Sequence, residues 1–103
     1  MDLAFKIEPT RFSSFDYFTF HGTIDAHAET QLKDLPLKVQ RPLVKFDFSK
    51  TGRINSMGIA LLLRCLKTIK DEKKAEILLI QPNPMNTMLF KMTGVLLLAD
   101  LEK

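Results

Sequence analysis

Apolar and polar residues alternate through "LAFKIE", Leu3 to Glu8, with the period of a strand that buries one face. "PTRFSS" breaks that run. "FDYFTFHGTID", Phe15 to Asp25, is dense in aromatic and β-branched residues and predicts a second strand. The short connector makes it the antiparallel partner of the first. Gly22 near its end predicts a bend or a close backbone approach. "AHAETQLKDL" predicts a short helix with Leu32 and Leu35 on one side, ended by Pro36. "PLVKFDFS" predicts a strand with Leu43 or Val44, Phe46 and Phe48 as its apolar positions, and a polar loop follows. From Gly58 to Lys70 the spacing becomes helical. Leu61, Leu62, Cys65, Leu66 and Ile69 form one stripe, with Arg64, Lys67, Lys70 and Asp71 opposite.

"AEILLIQ" is a near-continuous apolar strand, the pattern expected when both faces are covered. In "NPMNTMLFKMTG", Asn83 is placed to cap a helix, Pro84 suits its first turn and Gly94 its end. Met85, Met88, Leu89 and Met92 share a face spaced as core. "VLLLADL" closes the chain as a last strand or buried tail. The order β-β-α-β-α-β-α-β predicts a single α/β domain over residues 1–103, a mixed sheet of four to five strands covered by helices.

Composition narrows the class. At 103 residues with 46% hydrophobic content, including eight Phe, the chain suits one small, well-filled core. The formal charge of +3 is mild and the basic residues are scattered among acids, as in "KDEKK". That pattern lacks the one-signed stripe of a nucleic-acid groove. Cys65 is the single cysteine, so an intrachain disulfide and a Cys/His metal cage are both excluded. The charged start "MDLAFKIEPT" is unlike a signal peptide, and no apolar run is long enough to span a bilayer. A cytoplasmic protein is expected.

The catalytic inventory is short. His21 and His27 lie near one strand end without a nucleophile at a useful spacing. Cys65 falls inside the apolar helical stripe and reads as a small core residue. Asp16, Asp25 and Asp47 are isolated carboxylates, of which Asp25 and Asp47 alone have the chance to approach at one edge. Neither phosphate-cradling glycine motif occurs. The expectation is a non-enzyme without cofactor or metal.

Three stretches resemble the STAS family, the domain of bacterial anti-sigma factor antagonists. "FHGTIDAHAETQL" is similar to the family's second strand and first helix. "LVKFDFSKTGRINSMGIALLLRCLKTIKD" is similar to its strand–loop–helix, which carries Asp-Ser-[Ser/Thr]-Gly. "ILLIQPNPMNTMLFKMTGV" is similar to the strand and helix that follow, with Leu89, Phe90, Thr93 and Gly94 in register. Together they cover about Phe20 to Val95.

The resemblance implies a protein-binding switch. Its partner would be an anti-sigma factor with a histidine-kinase-like ATPase fold, which phosphorylates the Ser or Thr before the motif's glycine. Here the motif reads Asn55, Ser56, Met57 and Gly58, so the acceptor position is a methionine that cannot take phosphate. Ser56 is the weaker alternative acceptor, one residue earlier, and on its own reads as the helix N-cap. Leu63 reads as lying off the core side near Ala60 and Lys67, with Met57 near Arg64. Asp25, Asn55, Ser56, Met57, Gly58, Ala60, Leu63 and Arg64 are the expected partner-binding residues.

Two other readings stand beside the antagonist. "GIALLLRCL" also resembles the helix of small STAS adapters in phospholipid ABC transport systems, and a third possibility is a scaffold in a larger signalling complex. Family members commonly continue into a further helix after the last strand, whereas this chain stops at Lys103. A face left less covered is expected to favour a homodimer.

Overall fold

The computed structural model describes residues 4–102. Leu3, at the start of the first expected strand, lies outside them. Among the described residues, six strands and three α-helices follow one another in chain order. β1 is Lys6–Arg11 and β2 is Asp16–Ile24, paired antiparallel from Lys6↔His21 to Arg11↔Asp16. A 3-10 turn at Ala26–Ala28, helix α1 at Glu29–Asp34 and a second 3-10 turn at Leu35–Lys38 form the first cover. β3 (Leu43–Asp47), β4 (Thr51–Ile54) and α2 (Ser56–Thr68) come next, and α2 runs on into a π-turn at Ile69–Lys73. β5 (Glu76–Ile80), α3 (Pro84–Met92), a 3-10 turn at Val95–Leu97 and a two-residue β6 (Asp100–Leu101) complete it.

The sheet order is β1-β2-β3-β5-β6, parallel except for β1, with β4 pairing β2 off that path. The mixed α/β sheet is as expected, with six strands rather than four or five. β4 is the addition. "TGRI" is too short and too polar to announce a strand, yet Thr51 and Ile54 both turn inward. Thr51 Oγ1 donates to the buried Phe20 carbonyl at 2.8 Å. β2 makes room for this by changing partner from β3 to β4 at Gly22, whose φ of +83° is open to glycine alone at little cost. The bend expected there is that change of partner.

Burial alternates along the central strands. Phe18, Phe20, Val44, Phe46, Ile77 and Leu79 are buried with Leu61, Leu62, Cys65 and Leu66 of α2 and Ile69 of the π-turn that continues it, which confirms the expected stripe. Aromatic contacts run through this layer from Phe20 to Phe46 and Phe48 (4.9 Å each) and on to Phe90 (5.2 Å). Such pairs add about 0.5–1.5 kcal/mol each beyond their area. The other face is half-buried and cross-linked by polar groups: Tyr17 with Asp47 (2.6 Å), Lys45 with Glu102 (3.0 Å) and His21 with Glu8 (3.0 Å). β5 therefore does not have two equally covered faces, since Leu78 and Ile80 stay half-exposed on this polar side.

Three local expectations change. β1 continues through Pro9 to Arg11, because proline on an edge strand breaks no ladder bond. Pro36 sits inside the second 3-10 turn rather than ending the helix before it. On α3 the core side belongs to Asn86 and Phe90, while Met85, Met88 and Met92 are between 57% and 76% exposed. Both sides of that helix are apolar, so spacing alone does not decide which one turns inward.

Candidate functional site

The site lies where the parallel strands end and α2 begins. Asn55 has an extended backbone and caps α2, its Oδ1 accepting the Gly58 amide at 2.8 Å. Its own amide donates to the Ile24 carbonyl at 3.1 Å, so the end of β2 and the start of α2 are joined directly. Gly58 completes the joint. A Cβ there would lie 2.6 Å from the Ile24 carbonyl carbon and closer still to its oxygen. Only a residue without a side chain lets the first turn of α2 approach β2 this closely.

Ser56 was expected to be the cap, and that is corrected. It is the first helical residue and exposed, because Asn55 reaches the same amides from one position earlier. Met57 follows it, 51% exposed at the helix start. Ala60 and Arg64 continue that side of α2 and are exposed. Leu63 departs from expectation, being half-buried and packed against the core rather than off it. Asp25, next to Ile24, accepts from the His27 amide at 2.9 Å and contacts His27 Nδ1 at 3.2 Å, so it caps the turn that enters α1.

The chemistry of the remaining candidates is quiet. Asp25 and Asp47 are engaged separately, the former by His27 and the latter by Tyr17 and Ser49. Burial works to raise the Asp47 pKa, but hydrogen bonds from Tyr17 and Ser49 outweigh it and hold the carboxyl below its ordinary value. Tyr17 is pushed up to about 12, first by burial and then by the neighbouring Asp47. Burial pushes the Cys65 thiol up to about 12 as well, which keeps it protonated and unreactive in the core.

Charge gives the site its character, and sequence reasoning by overall balance missed it. From Phe48 to Lys70 the chain has no acidic residue; Lys50, Arg53 and Arg64 stand on either side of the helix start in sequence, while Lys67, at the far end of α2, pairs with Asp71 at 3.1 Å. Arg53 lies on β4 immediately before the site, and Gly52 beside it accepts a 2.9 Å hydrogen bond from Asn86 Nδ2. α3 is thereby tied to the same loop, with its methionines outward.

These features define a small α/β domain with a capped, cation-flanked helix start at the carboxyl ends of its parallel strands. The STAS domain family matches residues 7–102, and the chain belongs to that family. Its fold is that of solved anti-sigma factor antagonists. SpoIIAA in its unphosphorylated form aligns with a TM-score of 0.71 at 17% identity, over 97% of this chain and 89% of that one. An anti-sigma factor antagonist from Mycobacterium paratuberculosis aligns at 0.76 and 15%, over 95% and 85%. The Bacillus cell fate determinant SpoIIAA in its phosphorylated form aligns at 0.63 and 15%, over 97% and 92%. No curated protein matches by sequence. No helix among the described residues is long and apolar enough to cross a membrane.

Proposed function

We propose that this STAS domain is a cytoplasmic, bacterial protein-binding regulator, an antagonist-like partner of a histidine-kinase-like anti-sigma factor, held in an unphosphorylatable form. The observation that carries this is Met57, half exposed at the start of α2 in the position before Gly58. In the family that position takes a phosphate, whose double negative charge would remodel the docking face. A thioether keeps position 57 permanently uncharged and adaptable to an apolar partner surface. The lack of acids from Phe48 to Lys70 supports a partner with an acidic rim.

Asn55 and Gly58 act by position: they hold the first turn of α2 against β2 so that Ser56, Met57, Ala60 and Arg64 are presented together. Asp25 fixes the adjoining turn. The test is photo-crosslinking from a benzoylphenylalanine at position 57, followed by mass spectrometry of the captured protein. A histidine-kinase-like regulator is the expected product, whereas a transporter ATPase would replace this reading with the adapter one.

A further inference from the structure

The opposite end of the sheet carries a second recess, about 660 Å³, between the β1–β2 hairpin and the segment from Leu37 to Arg41. β2 separates it from the α2 site by its nine residues, about 25–30 Å at the usual rise of a strand. Phe12 and Phe15 lie on one wall, stacked at 4.6 Å with 22° between their planes. Lys45 Nζ sits 4.5 Å above the Phe15 ring and also pairs with Glu102, which fixes the stack from beneath. Phe12 remains 43% exposed, and Leu37 on the far wall is 76% exposed.

Arg11, Lys38 and Arg41 line the same recess, and none of them forms an ion pair among the described residues. The one acid of the lining among the described residues is already engaged. Asp16 Oδ2 accepts the amides of Gln40 (2.8 Å) and Arg41 (2.9 Å), which pins that segment beside the hairpin. Large apolar groups exposed between unpaired cations, on loops held in place, have the composition of a protein-recognition patch.

The details choose among ligands. A compact phosphate is normally cradled by free backbone amides at a helix start or a glycine turn. No glycine lines this recess, Leu37 and Lys38 are at the C-terminal end of their 3-10 turn, and the Gln40 and Arg41 amides are taken by Asp16. What is left is three long side chains spread over two walls, suited to carboxylates distributed along a chain, with Phe12 and Leu37 to receive an apolar anchor. We propose that this recess binds an acidic linear peptide of a partner protein, with an aromatic or aliphatic residue seated between its carboxylates. The domain then joins two proteins, one at each end of its sheet.

The test is an amide NMR titration with the peptide Glu-Glu-Phe-Asp-Glu-Leu. Shifts should concentrate in residues 10–18 and 37–41. Arg41→Ala should weaken binding about tenfold at unchanged melting temperature, and Phe12→Ala by a similar factor with a few degrees lost from its stack on Phe15, while Met57→Ala leaves binding intact. The peptide Glu-Glu-Ala-Asp-Glu-Ala should bind at least fivefold more weakly. Equal binding of the two peptides, or shifts scattered over all the lysines, would reduce the patch to bulk charge and overturn the proposal. So would guanosine triphosphate or phosphatidylserine vesicles shifting the same residues where the peptide does not. Because Phe12 and Met57 report on different ends, failure here leaves the α2 reading standing.

Discussion

Replacing Gly58 with alanine adds one methyl group where α2 meets β2. In an open helix the change stabilises, by about 1 kcal/mol, because alanine loses less backbone entropy than glycine. Here the new carbon would lie 2.6 Å from the Ile24 carbonyl carbon, against an ordinary contact of 3.4 Å or more. The helix start must therefore retreat by about 0.8 Å or further, and the groups that resist are backbone. Retreat strains or breaks the bond from the Asn55 amide to Ile24 at 3.1 Å and the Asn55 cap to Gly58 at 2.8 Å. Each such bond is worth about 1 kcal/mol and the overpacking about 1–3 kcal/mol, so a net loss of about 2–4 kcal/mol remains after the helix-propensity gain. Urea unfolding followed by far-UV circular dichroism measures it directly. For a chain of this size the same loss lowers the melting temperature by about 10–25 °C. A Gly58→Ala protein as stable as the parent, or more so, would refute the close approach.

Asn55→Ala should cost about 1 kcal/mol in the same assay and Ser56→Ala less than 0.5 kcal/mol, a pair that separates the true cap from its neighbour. Equal effects would mean that Ser56 shares the capping. Tyr17 is the only tyrosine and the chain has no Trp, so absorbance near 295 nm reads one phenol. It should titrate near 12 in the folded protein, against about 10 in urea. Because the folded state holds that proton longer, its stabilising effect is complete below about pH 10 and fades as pH rises toward 12. Tyr17→Phe should remove this dependence; an unchanged alkaline slope would place its origin elsewhere. Cys65 should resist Ellman's reagent at pH 8 and react at once in urea, since its thiol is buried and protonated. Rapid labelling of the native protein would show that α2 opens readily.

Much of this fold can be read along the chain, because its α2 stripe and its Phe-rich strands each have one strongly apolar side. β4 escapes such reading since its stability comes from elsewhere: four residues gain their place through the partner switch at Gly22 and the Thr51 bond to Phe20. α3 misleads for the opposite reason. It offers apolar residues on both sides, and the inward side is fixed by Phe90 meeting Phe48 and Asn86 meeting Gly52, contacts remote in sequence. At the site, the motif spacing points to the first turn of α2, where Met57 and Gly58 lie. Which residue caps depends on a half-turn of backbone, and Asn55 and Ser56 are both good caps by type. Leu63 is drawn inward because the core cluster extends beyond the central stripe of α2. The recess at the far end has no short motif, being assembled from residues about 25 positions apart.

The central claim concerns Met57, and phosphotransfer tests it most directly. The protein and a Met57→Ser variant would each be incubated with the proposed partner, a histidine-kinase-like anti-sigma factor, and ATP, with phosphate located by mass spectrometry and complex stability followed by size exclusion. The account predicts no phosphate on the parent protein and a complex that survives ATP, whereas the serine variant takes up phosphate at position 57 and dissociates. Phosphate found on Ser56 of the parent protein, or a parent complex dissolved by ATP, would contradict it.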